Sequence, residues 1–246
     1  MNTATSFNAA SPTATQIQAG RTAHALAAVS RSRLVNPGRR QLAAIPNASL
    51  SGRSVLIADP NRATRSALRD VATSLGADQV EYAATAAEVL RSVLAHPPAL
   101  ILCEFQLQGE RTGQQVLEEL RLRQLIGRAT IFIMVSGERS YDHVVCSAEF
   151  APDDYLIKPF VPERLRTRIA HLLQRGQVFS KAWKMFEAGD ADLAVHECRR
   201  LAKASPSWLA DCLRLEVDAL IHLERFDEAE LVLDRVLARK PLPWAV

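Results

Sequence analysis

The stretch Ala99-Leu-Ile-Leu-Cys-Glu104 decides the fold. It is a short, unbroken apolar run that stops on an acid. A buried helix needs more residues than this, and a strand with one wet face would alternate, so the run reads as a strand of a parallel sheet covered on both faces. Working outward, Val55-Leu-Ile-Ala58, the shorter Val80–Ala83, Ile131-Phe-Ile-Met-Val135 and Tyr155-Leu-Ile157 have the same character. Between them lie segments with helical spacing: Arg62–Leu75 with Leu68, Val71 and Leu75 on one face, Ala84–Ala95 with Val89, Leu90 and Leu94, Gln114–Leu125 with Val116, Leu117 and Leu120, Tyr141–Phe150, and Pro162–Leu173. Strands that alternate with crossover helices predict an α/β domain over 54–173, a doubly wound five-stranded parallel sheet of flavodoxin type. In such a sheet the functional crevice lies beyond the carboxyl ends of the strands. The residues at those ends are Asp59, Glu104, Ser136 and Lys158.

The flanks read differently. Residues 1–52 carry five arginines (Arg21, Arg31, Arg33, Arg39, Arg40) and no acid, are rich in Ala, Ser, Thr, Asn and Pro, and show only a short helical patch at Ala23–Val29. They are expected to form a disordered basic arm. Its composition also resembles an organelle transit peptide, without the apolar core of a secretory signal. From 177 to 246 the pattern is helical throughout, with ten Lys/Arg against twelve Asp/Glu. Ala194 and Ala229, Arg200 and Arg235, Pro206 and Pro241, and Asp192 and Asp227 each recur at a spacing of 35. That period, with a small residue in the helix contact and a proline ending the second helix, resembles tetratricopeptide repeats. It departs from them where a glycine is expected early in each unit, at Ala182 and Val217. A generic helical hairpin capping the first domain is the competing reading.

Composition narrows the function classes. The chain is 48% apolar and 23% charged, with a net charge of +3 that resides in the arm. No apolar run approaches the roughly 20 residues that cross a bilayer. Cys103, Cys146, Cys198 and Cys212 lack C-x-x-C spacing and fall within apolar segments, as reduced core thiols do, so a reducing cytoplasm is the expected location. The histidines show no metal-ligand spacing, no glycine-rich phosphate loop is present, and no basic domain suggests nucleic acid. Trp183, Met185, Phe186, Trp208 and Leu209 read as helical core, and Arg164, Arg166 and Arg168 as a solvated helix face.

Ile57-Ala-Asp59-Pro-Asn61, Leu102-Cys-Glu104, Val135-Ser136-Gly137 and Tyr155-Leu-Ile-Lys158-Pro159-Phe160 fall in the order and spacing of the receiver domains of two-component response regulators (CheY-like), which 54–173 therefore resembles. The resemblance implies an acidic pair and a third-strand aspartate around magnesium, with that aspartate taking phosphate. A Ser/Thr and a Lys contact the phosphate, and an aromatic on the fifth strand switches. Carried over by position, Asp59 is the surviving acid of the pair, Ala58 marks its missing partner, Glu104 stands at the phosphoacceptor position, Ser136 is the switch hydroxyl, Tyr155 the switch aromatic and Lys158 the cation. Losing a carboxylate at Ala58 weakens any Mg²⁺ site, since hard cations want several oxygens. Glu104 carries its oxygens roughly 1.5 Å further out than an aspartate would. An ion pair of Lys158 with Glu104, supported by the Ser136 hydroxyl, is expected to hold permanently what phosphate would hold transiently.

Each residue also has a plainer role. Asp59 suits a helix cap, Lys158-Pro159 a strand end, and Glu104 a solvated strand terminus. The leading reading is a non-enzymatic signalling adaptor whose helical output binds a protein, with a histidine kinase or a downstream signalling protein as the partner the resemblance implies. Neither nucleic acid nor membrane is expected as a partner. An uncapped repeat face predicts a homodimer, a docked partner or longer relatives. The alternatives are a conventional phosphorylation-dependent response regulator and, from another class, a flavodoxin-like enzyme using Asp59, Glu104 and Lys158.

Overall fold

A computed structural model describes residues 49–137 and 150–237. Most of the basic arm, with its helical patch at Ala23–Val29, lies outside the described residues, as do most of the expected helix Tyr141–Phe150, Cys146 and Pro241. The described chain runs β1 (Ser54–Ala58), α1 (Arg62–Ser74), β2 (Gln79–Ala83), α2 (Ala86–Ala95), β3 (Leu100–Glu104), α3 (Gly113–Leu122), β4 (Ile131–Ser136), β5 (Asp154–Ile157), α4 (Pro162–Glu187), α5 (Ala191–Ala204), a 3₁₀ turn (Pro206–Trp208), α6 (Leu209–His222) and α7 (Phe226–Leu237).

The five strands form one parallel sheet in the order β2-β1-β3-β4-β5. β3 is central and wholly buried. Alternate residues divide the core: Leu100 and Leu102 pack beneath α1 and α4 with Leu68, Val71, Leu165 and Ile169, while Ile101 and Cys103 face α2 and α3 with Val89, Val116 and Leu117. β2 departs from the expectation of two covered faces. It sits at the sheet edge with one neighbour, only Ala83 is buried, and Tyr82 is 47% exposed.

Capping places the helices. Asn61 caps α1 by accepting from the amides of Ala63 and Thr64, and Thr85 and Thr112 form reciprocal capping boxes with Glu88 and Gln115 at α2 and α3. These caps delay α2 to Ala86, two residues beyond the expected start. α3 begins at Gly113, where a Cβ would collide with the Glu104 carbonyl, so only glycine lets the helix enter this close to β3.

The helix expected to end at Leu173 instead runs unbroken for 26 residues to Glu187. Gln174-Arg175-Gly176 contains no proline to stop it, and Arg175 is buried in an ion pair with Asp153. One helix thus supplies Leu165, Ile169, Leu172 and Leu173 to the sheet core, then Phe179, Ala182 and Trp183 to a second core with Cys198, Trp208 and Cys212. Arg168 is also more than a solvated side chain, since it pairs with Asp154 at 2.7 Å.

The 35-residue period appears as a repeated turn. Gly189 (φ +88°) and Glu224 (φ +57°) both adopt left-handed backbone. The amide of Ala188 reaches Lys184 O and that of Leu223 reaches Ala219 O; Asp190 reaches Met185 O and Arg225 reaches Leu220 O. Ala194 and Ala229 are both buried in one cluster, and Asp192 and Asp227 open α5 and α7.

Truncating Leu102, fully buried on β3, is expected to cost about 2–5 kcal/mol. Leu94→Ala, at 58% exposure on α2, should stay within about 0.5 kcal/mol. Urea unfolding of both variants measures this.

Candidate functional site

The carboxyl ends of the strands carry Asp59, Glu104, Ser136 and Lys158, and the side chains of Asp59, Glu104 and Lys158 meet there. Asp59 follows β1, and its amide donates to Ala83 O on β2. Glu104 ends β3, with the next amide, that of Phe105, donating to Val135 O. Ser136 ends β4, and its carbonyl accepts from the Lys158 amide at 2.7 Å, which fixes the start of the Lys158–Pro159 turn, a cis peptide. Asp59, Glu104 and Ser136 are at most 8% exposed.

The Lys158 ammonium joins both acids. Its Nζ donates to Asp59 Oδ2 at 2.7 Å and forms a second ion pair with Glu104 Oε2. The remaining carboxylate oxygens are held by backbone: Asp59 Oδ1 accepts from the Asn61 amide at 2.7 Å, and Glu104 Oε1 accepts from the Gln106 amide at 3.2 Å. Asp59 is therefore not the helix cap of the plainer reading. Asn61 has that place, and Asp59 organises the turn before it. Arg65, which sequence reasoning missed, reaches back from α1 to donate to the Asp59 carbonyl at 2.8 Å. Tyr155 is buried on β5 within the α2–α3 layer, its ring enclosed rather than at the surface.

Two carboxylates and one ammonium sum to a formal charge of −1, with both acids buried and Lys158 partly open to solvent. Burial alone lowers the pKa of Lys158, but the hydrogen bonds and charges of Asp59 and Glu104 outweigh it and hold that pKa above the ordinary lysine value. Cys103, just beneath, is pushed far up by burial and by the charges of Glu104 and Asp59, so its thiol stays protonated and unreactive.

Magnesium, which the resemblance implies, wants about six oxygens in octahedral array. Among the described residues no group of three or more His, Cys, Asp or Glu is placed to hold a metal. Ala58 offers no carboxylate, and both acids present are already bonded to an ammonium. Two converging carboxylates with waters can still hold the ion, but the set is one carboxylate poorer at Ala58 and shares both acids with Lys158, so it is a weakened site.

Residues 55–170 match the family model of the response regulator receiver domain. The chain is 29% identical over 129 residues to the transcriptional regulatory protein GltR of Pseudomonas aeruginosa, covering 52% of each chain. It is 39% identical over 82 residues to the transcriptional regulatory protein CiaR of Streptococcus pneumoniae, covering 33% of this chain and 35% of that one. It therefore spans about half or less of these relatives' length. A solved CheY-like receiver domain from Methanospirillum hungatei shares 28% identity with a TM-score of 0.45, covering 51% of this chain and 96% of that one. No described helix is long and apolar enough to cross a membrane.

Because the folded pKa of Lys158 is raised, the stability it contributes is fully present below the ordinary lysine value of 10.5 and is lost as pH rises through the higher folded value. Lys158→Met should destabilise the chain by on the order of 3 kcal/mol near neutral pH, through two carboxylates left buried without their cation. The difference from the natural chain should shrink above pH 10.5. Urea unfolding against pH checks both.

Proposed function

Residues 55–170 being a response regulator receiver domain, we propose that it serves as a non-enzymatic signalling module taken out of phosphate control by Glu104, with the helical segment as a protein-binding output. The observation that carries this reading is the ammonium of Lys158 bound at once to Asp59 and Glu104. In a phosphorylated receiver that cation would meet the phosphoryl group. Here the longer Glu104 side chain brings a permanent negative charge to it.

The substitute is partial. A carboxylate supplies one charge and two acceptors, against about −1.5 to −2 and three acceptors for a phosphate. Phosphoryl transfer onto Glu104 is disfavoured on physical grounds, because the acceptor oxygen is displaced, already bonded to Lys158, and beside a metal-binding donor set weakened at Ala58. In this reading Ser136 and the enclosed Tyr155 hold the state that Glu104 sets, and Asp59 anchors Lys158 rather than a metal.

The helical segment supports a tetratricopeptide-like output through its repeated left-handed turns at Gly189 and Glu224 and its paired small residues Ala194 and Ala229. Ten Lys/Arg against twelve Asp/Glu from residue 177 onward favour a protein over a nucleic acid as its partner. By the logic of the two-component family that partner is a histidine kinase or a downstream signalling protein. The second reading, a conventional phosphorylation-dependent response regulator, is favoured by Ser136, Tyr155 and Lys158, which all occupy their receiver positions.

Intact mass after incubation with acetyl phosphate and magnesium separates the two. The natural chain and Glu104→Gln should gain no phosphoryl mass, whereas Glu104→Asp, and more strongly Ala58→Asp with Glu104→Asp, should gain one. A phosphoryl shift on the natural chain that is lost in Glu104→Gln would establish the conventional regulator.

A further inference from the structure

At the end of the sheet opposite Glu104, the loop between α3 and β4 lies against the helical segment. Arg128 projects from that loop into a seat made by two helices. Its Nη1 pairs with Asp218 Oδ2 of α6 at 2.9 Å, and its guanidinium carbon lies 4.6 Å from the ring centroid of Phe186 on α4. Its backbone amide donates to Glu187 Oε1 at 3.0 Å. Gly127 keeps the loop close, since a Cβ there would come within 3.0 Å of the same oxygen. The guanidinium thus meets a ring face and one carboxylate, while the second carboxylate, Glu187, takes the backbone amide of the same residue, so side chain and main chain are read together.

The occupant is held against opposition. Arg121, Arg175 and Arg214 surround the seam, and Arg128, Arg175 and Arg214 all act on Arg121 as like charges. Arg214 is desolvated and is attracted to Asp218, the carboxylate that Arg128 uses. Asp153 offsets part of the excess through Arg175 and through Arg121 at 3.8 Å. The Arg128 side chain is still 35% exposed, so the seat it occupies is open to solvent.

We propose that Phe186, Glu187 and Asp218 form an arginine-binding site of the helical segment, which the receiver's own Arg128 plugs and which a partner protein presenting an arginine must capture by displacing it. This rests on the reading of the helical segment as a protein-binding output. It adds the recognised side chain and a gate: a tethered plug competes at an effective concentration on the order of millimolar, so the site opens only to a multivalent partner or when the loop withdraws.

The test uses a capped pentapeptide with the sequence of residues 126–130 and a control with alanine in place of its arginine, titrated into the full chain and followed by two-dimensional NMR at the Glu187 and Asp218 amides. In Arg128→Ala, or in Arg128→Gln should the first variant lose its fold by circular dichroism, the arginine peptide should give saturable shifts. The control peptide, the natural chain and the Arg128→Ala, Asp218→Asn double variant should not respond. An equal response from the natural chain would overturn the plug while leaving the protein-binding reading intact. No response, or an identical response to both peptides, in a folded Arg128 variant would overturn the arginine seat itself. Neither outcome bears on the Glu104 reading, which acetyl phosphate tests separately.

Discussion

The ammonium of Lys158, shared between Asp59 and Glu104, is the contact on which the receiver end of the molecule depends. Each of the three side chains comes from the end of a different strand, so the shared cation ties β1, β3 and β5 together across the sheet order β2-β1-β3-β4-β5. Two carboxylates this deeply buried would repel each other without a cation between them. Their outer oxygens are taken up by the amides of Asn61 and Gln106, which makes the turns after β1 and β3 part of the same arrangement. In the proposed reading, acids already shared with Lys158 have less to offer a metal or an incoming phosphoryl group.

The opposite end follows another logic. α4 does not stop with the sheet layer but continues to Glu187, and its buried Arg175 holds Asp153 just before β5. Arg128 meets α4 and α6 from the far side. A continuous helix and a seam of paired charges join the receiver to the helical segment.

Much of this was legible in the chain itself. Five apolar runs, four of them ending at Asp59, Glu104, Ser136 and Lys158, point to both the sheet and the crevice, because a strand buried on both faces leaves only its end free for polar chemistry. The 35-residue spacing of Ala194 and Ala229 was visible as well, although the feature that makes the repeat geometric, left-handed backbone at Gly189 and Glu224, was hidden by the difference in residue type. The exposed edge of β2 was misread because a four-residue run carries too little periodicity to separate one covered face from two. The extent of α4 was missed because Gln174-Arg175-Gly176 looks like a polar break, and only the distant Asp153 explains why Arg175 is buried. Arg65 and Arg128 gave no local signal, since their roles arise from contacts with a carbonyl and a carboxylate that the fold alone brings near.

The measurement that tests the central claim most directly is a double-mutant cycle on Lys158 and Glu104, with Lys158→Met, Glu104→Gln and the combination compared by urea unfolding at neutral pH. If Glu104 holds Lys158 as proposed, the two substitutions should be strongly non-additive, with a coupling energy in the range of about 0.5–3 kcal/mol that measured pairs in contact show. Additivity to within about 0.3–0.5 kcal/mol, the behaviour of independent sites, would show that the ion pair holds nothing and would remove the basis for a receiver fixed by its own glutamate.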